Sequence, residues 1–152
     1  MVKSSFGTRH GIAALLAAGG LAVAIQQASA NAPAGRYAVG CGTVLDNQTG
    51  LVWEQDGTLA ANWSTATAHC KGQSMRLPTL TELQTLVDDS SGASPPLIDP
   101  AFTAGATIAG NLFYWTSSAD AKSPPQIWSV DFDTGNSASD LQSQGYYVRC
   151  VR

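Results

Sequence analysis

The spacing of hydrophobic positions changes several times along this chain, and each change marks a predicted element. β-Forming residues in Thr43-Val44-Leu45-Asp46 and Leu51-Val52-Trp53-Glu54 flank the polar stretch Asn47-Gln48-Thr49-Gly50, a pattern that predicts a hairpin. Asn62 or Ser64 is placed to cap a helix from about Thr65 to Lys71, which would carry His69 and Cys70. Pro78 ends an extended Met75-Arg76-Leu77, and Thr79 with Glu82 forms a T-x-x-E capping box. Leu80, Leu83, Leu86 and Val87 then share one helical face, until the polar run Asp88-Asp89-Ser90-Ser91-Gly92 stops the helix. Residues 94–112 are rich in Pro, Ala and Gly and read as one long loop, a length usually kept for function. Strands are predicted at 113–116, at 127–132 where alternation is clean, and at 146–151, with a turn over 133–136. Short strands following two helices favour an α+β domain over a parallel α/β one.

The first thirty residues stand apart from that pattern. Lys3, Arg9 and His10 precede an apolar run from Gly11 to Ile25, and Ala28-Ser29-Ala30 supplies the small-x-small site that signal peptidase accepts. Residues 1–30 therefore read as a signal peptide cleaved before Asn31; the apolar run falls short of the ~20 residues that span a bilayer. Residues 31–36 form a short, breaker-rich lead expected to be flexible, and residues 37–152 form the domain. No later apolar segment reaches membrane length, so the expected product is exported (periplasmic, cell-surface or secreted) with no membrane span after cleavage. Only 12% of the residues are charged. Beyond residue 30, six basic residues face eleven acidic ones, a net charge of −5. That balance excludes a nucleic-acid binder built on a basic face and a charged coiled coil.

Reactive groups are few. Cys41, Cys70 and Cys150 in an oxidising compartment imply one disulfide with one thiol left over. Three pairings are open, and chain-entropy values of ~4.5 kcal/mol for Cys70–Cys150 and ~3.6 for Cys41–Cys70 do not choose between them. With no C-x-x-C and His69 the only histidine after residue 30, no metal and no cofactor are expected. There is no G-x-S-x-G, and His69 alone cannot build a Ser-His-Asp triad. His69 and Cys70 are adjacent on a predicted helix and point about 100° apart, which argues against a thiolate pair. The chain is expected not to be an enzyme. Arg76 and Arg149 read as partly buried members of ion pairs.

Taken in order, several segments resemble a known family. They are VLDNQTGLVWEQ (44–55), W-x5-H-C (63–70), RLPTLTELQTLVD (76–88), IDPAF (98–102), YWTSS (114–118), WSVDF (128–132) and YYVRCVR (146–152). The series resembles the C-terminal domain family of the Legionella collagen-like adhesin across nearly all of residues 37–152. The resemblance implies a C-type-lectin-like α+β domain, with two helices packed on a twisted antiparallel sheet and its N- and C-terminal strands adjacent. It also implies a disulfide from the first helix to the last strand, which here pairs Cys70 with Cys150. The related oxygen-activating enzymes use a cysteine pair near the C-terminus; here only Cys150 lies in that region, so their activity does not carry over. What carries over is an adhesion-type role with an extracellular glycan or protein as ligand.

Glycan binding needs an aromatic platform and planar polar groups. Trp115 and Trp128 lie in predicted strands, and Asp131, Asp133 and Asn136 lie on the turn that follows the second of them. Those five residues form the candidate site, with Gln142 nearby. The D-x-D-x-G of residues 131–135 resembles a calcium loop but lacks Gly and Glu in EF-hand register, so it reads as a hairpin turn. Sulfates need clustered Arg and Lys, whereas the six basic residues here are scattered, so a neutral glycan or a protein surface is the expected ligand. The alternative is a structural or protein–protein module of the cell envelope, linked through the spare cysteine.

Overall fold

The computed structural model describes residues 32–90, 93, 95–102 and 112–152. The signal-peptide reading and most of the 94–112 loop therefore lie outside the described residues.

The hairpin forms where it was expected. Three antiparallel strands, β1 (Tyr37–Val39), β2 (Thr43–Asp46) and β3 (Val52–Glu54), make a small sheet in the order β1-β2-β3. At the β2–β3 connection the Gly50 N–H donates to the Asp46 carbonyl at 2.8 Å, with Gly50 at φ +75, a conformation glycine adopts without steric cost. Val44 pairs with Trp53, and both side chains are fully buried, while Leu45 faces outward.

α1 (Trp63–Gly72) starts two residues before the predicted boundary, because the Asn62 side chain accepts the Thr65 N–H at 2.8 Å and fixes the first turn. α2 (Leu80–Gln84) carries the predicted capping box in both directions: the Glu82 N–H donates to Thr79 Oγ1, and the Thr79 N–H donates to Glu82 Oε2. It is shorter than the periodicity predicted. After Gln84 the chain tightens, as Leu86 N–H donates to the Leu83 carbonyl and Val87 N–H to the Gln84 carbonyl, both at 3.1 Å. Tightening still turns Leu83 and Leu86 inward, so the apolar pattern is satisfied without an α-helix.

Arg76 grips Glu82 with two hydrogen bonds of 2.8 Å, and these, with the Thr79 N–H, hold the Glu82 carboxyl at about 2 despite partial burial. A depressed native value contributes stability above the ordinary pKa of 4.5 and loses it as pH falls toward 2. Glu82→Gln is therefore expected to flatten that part of the acid limb of the stability curve, as read by urea melts at stepped pH.

The larger sheet contains β4 (Thr58–Ala60), β5 (Phe113–Ala119), β6 (Ile127–Asp131), β7 (Ser137–Asp140) and β8 (Tyr146–Val148), in the order β4-β8-β5-β6-β7. One twisted antiparallel sheet was expected. The fold instead has two sheets, and β8 runs parallel to β5 while every other neighbour pair is antiparallel. The reason is topological: β8 inserts between β4 and β5, antiparallel to one and parallel to the other.

Alternation along β5 and β8 sends Tyr114 and Tyr147 to one face and Trp115 and Val148 to the other. Tyr114 and Tyr147 join Val44, Trp53, Leu83 and Phe132 in the larger core, and Trp115 and Val148 join Ala66, Cys70 and Leu77 in the smaller one. The Cys70–Cys150 disulfide, with Cα atoms 5.3 Å apart, joins α1 to the segment after β8. Trp53 bridges Val151, and Val52 and Arg152 exchange backbone hydrogen bonds of 2.9 and 3.0 Å. β3 and the segment after β8 are thus neighbours, whereas the first strand, β1, pairs with β2 in the small sheet and the last, β8, lies in the larger one. Arg36 binds Asp46 at 3.1 Å and the Thr85 carbonyl at 2.8 Å, fastening the small sheet to the end of α2. Burial opposes ionisation of Asp46, but bonds from Arg36 and the Gln48 N–H outweigh it and hold the carboxyl below its usual range.

Candidate functional site

The turn after β6 is built by its own first carboxylate. Asp131 accepts the Asp133 N–H at 2.9 Å on Oδ1 and the Thr134 hydroxyl at 2.8 Å on Oδ2. Its backbone N–H donates to the Asn136 carbonyl at 2.8 Å, and its carbonyl accepts the Gly135 N–H at 2.8 Å. Asp131 is buried, so both carboxylate oxygens serve the turn. Gly135 sits at φ +74, and a Cβ there would come within 3.2 Å of Val87. A side chain at this position would meet both a strained backbone and a close neighbour.

The five residues singled out in sequence do not share one surface. Asp133 is half-buried and Asn136 exposed, so the turn presents both. Trp115 is fully buried, with its ring centroid 4.8 Å from that of Tyr146. It is core and gives a ligand no face to stack on. Trp115 pairs with Ser129, so Trp128, the next residue along, points to the opposite side of the sheet, where it is half-buried. Gln142 lies elsewhere and donates to the Pro125 carbonyl at 3.1 Å.

Open space lies next to the turn. A cavity of about 290 Å³ is lined by Gln84, Val87, Asp89, Leu97, Thr134 and Gly135. A second, of about 430 Å³, shares Val87 and Asp89 and adds Arg36, Tyr37, Asp88 and Asp99 among its lining residues. Together they form a trough between the turn, the end of α2 and segment 95–99. Sequence reading missed these acids as a group: Asp88 and Asp89 read as a helix stop, and Asp99 as one letter of the IDPAF segment. Their only signal was position beside a long loop.

Elsewhere the polar chemistry is turned inward. Glu54 Oε1 lies 2.9 Å from His69 Nε2 and accepts from Gln73 at 2.8 Å, and Glu54 Oε2 accepts the Cys150 N–H at 3.1 Å. Glu54, His69 and Cys150 bring ligand-type atoms within 4.8 Å of one another, but the Cys150 sulfur is bonded to Cys70 and offers no thiolate. The cluster ties α1 to the last segment of the chain. Arg149, read as partly buried, is fully buried and donates to the carbonyls of Glu54 and Gln55. Arg76 is the exposed partner of Glu82. Cys41 lies outside the disulfide and is exposed, on the β1–β2 connection. Among the described residues, no helix is long and apolar enough to cross a membrane.

The arrangement is that of a disulfide-fastened α+β domain whose buried charges hold the scaffold and whose open trough lies at one end. The Lcl C-terminal domain matches residues 42–152, and the chain belongs to that family. No curated protein and no solved structure matches it.

Proposed function

We propose that this chain is an exported, non-enzymatic ligand-binding domain of adhesion type that recognises its extracellular partner at the trough beside the 131–136 turn. The observation that carries this reading is the trough itself, two adjoining cavities edged by Asp89, Thr134 and Gly135. Membership of an adhesin-associated family supports binding over chemistry, and so does the engagement of His69 with Glu54 and Gln73. The finer reading is a C-type-lectin-like domain that takes a neutral glycan, held by the planar polar groups Asp133 and Asn136, which flank the lining residues Thr134 and Gly135 along the turn. Trp128 is half-buried and lines neither cavity, and the buried Trp115 has no part in the site.

The mature chain on an array of neutral, sialylated and sulfated glycans, with and without EDTA, is expected to bind one neutral class saturably. Alanine at Asp133 and Asn136 is expected to weaken that binding at least tenfold, and the EDTA arm reports on calcium. Binding unchanged in the double variant would move the site away from the turn. A second reading, a protein-interaction module, draws on the exposed Cys41 with the exposed Val39 and Leu45 on the strands it joins. A blank array together with a reductant-sensitive dimer on a gel would favour it.

A further inference from the structure

A third cavity, of about 330 Å³, shares no lining residue with the trough. Trp63, Thr67 and Lys71 line it from α1, Arg76 and Leu77 from the segment that leads to α2, and Ser117 from β5. Steps of four place Trp63, Thr67 and Lys71 along one face of α1, while Ala66 and Cys70 turn into the smaller core. We propose that this groove is a second binding site, separate from the trough, for a small aromatic monocarboxylate whose ring lies against Trp63 and whose carboxylate meets Lys71.

The fold prepares the apolar part. Trp63 packs in part on the smaller core, and its Nε1–H donates to the Thr116 carbonyl at 2.8 Å, so its one polar group is engaged and its ring is held in place. The residue stays half-buried and lines the groove beside the buried Leu77. Both hydroxyls already donate within the fold, Thr67 to the Trp63 carbonyl at 3.0 Å and Ser117 to the Pro78 carbonyl at 3.1 Å. Of the three cavities described, this one has the least polar lining. A volume of about 300 Å³ is the lower end for ligand pockets and suits a single ring system.

Charge selects the other end of the ligand. Arg76 gives two bonds of 2.8 Å to Glu82, so its charge is offset within the fold. Lys71 is exposed and takes part in no ion pair or side-chain hydrogen bond among the described residues. The groove therefore carries one uncompensated positive charge, in the last turn of α1 and next to apolar walls. A single carboxylate matches that charge, whereas a polyanion brings charge for which the groove holds no second free cation. An ammonium is a point charge that imposes no planar geometry, so the seating of the ring sets the orientation of the ligand.

Calorimetric titration of the folded protein with 2-naphthoate and with 2-naphthamide tests the site, since the two share a ring system and differ in charge. Naphthoate is expected to bind saturably, with one site per chain, and at least about threefold more tightly than naphthamide, the scale of an exposed ion pair. Lys71→Gln, at an exposed helical position, should remove that preference and leave the affinity for naphthamide unchanged. Thr67→Phe, which fills the groove from the same helix face, should weaken both ligands about tenfold or more. Asp133→Ala/Asn136→Ala should leave both affinities unchanged, which separates this site from the trough. The proposal is overturned by a lack of saturable naphthoate binding, by equal affinity for the two ligands, by a preference that survives Lys71→Gln, by binding that survives Thr67→Phe, or by binding lost in the turn variant.

Discussion

The double variant Cys70→Ala/Cys150→Ala is expected to lose about 4 kcal/mol of stability, with a melting temperature lower by roughly 10–20 °C. The disulfide closes a loop with a sequence separation of 80, for which loop-closure entropy in the unfolded chain gives ~4.5 kcal/mol. Alanine is the right replacement, because both cysteines are fully buried and a serine hydroxyl would add an unsatisfied group. The link also carries tertiary structure, for α1 buries Ala66 and Cys70 against the same core as Val148 and Cys150. Urea melts of the two proteins measure the difference. A loss under about 1 kcal/mol would mean that the Glu54 cluster holds α1 in place without the bond.

Arg149→Met is expected to cost about 3–5 kcal/mol, the range for removing one member of a buried charge network. The side chain is fully buried, and desolvation lowers its pKa while Tyr114 and Glu54 oppose that shift. Its Nη1 donates to the Glu54 carbonyl at 2.7 Å and to the Gln55 carbonyl. Its guanidinium carbon lies 5.0 Å from the Phe102 ring centre and 5.6 Å from that of Tyr114. Methionine fills the space but removes the donor to two carbonyls, those of the buried Glu54 and the half-buried Gln55. Arg149→Lys should restore little, since a point charge reproduces neither the fork nor the planar stacking. Denaturant melts and near-UV circular dichroism of the two variants read the outcome.

Local chemistry was the legible part of this sequence. Asn62, the Thr79–Glu82 pair and Gly50 announce caps and a turn through groups that act within four residues, and the fold uses all of them. β1, β4 and β7 were not foreseen: Tyr37–Val39 and Thr58–Ala60 are each three residues long, and Ser137–Asp140 is half-buried throughout, so none carries a clear period-2 signal. The parallel β5–β8 pairing depends on residues 33 apart along the chain, Tyr114 and Tyr147, and no local pattern encodes it. The site fared similarly. Alternation placed Trp115 in a strand, but which face of that strand was covered depended on α1, a distant element. The trough escaped notice because Arg36, Asp89, Asp99 and Thr134 come from four separate segments that only the finished fold brings together.

The insertion of β8 between β4 and β5 also sets the order in which the domain can fold. Among the described residues β4 has no neighbour in its sheet except β8, and Thr58 waits for Val148 to arrive. In a chain delivered from its N-terminus, the hairpin of β2 and β3 can form early, but the five-stranded sheet stays divided until nearly the whole domain has emerged. Such long-range closure is intrinsically slow. On the proposed export reading, such a delay would keep the chain loose and threadable during passage and commit it to a compact form only once delivery is almost complete.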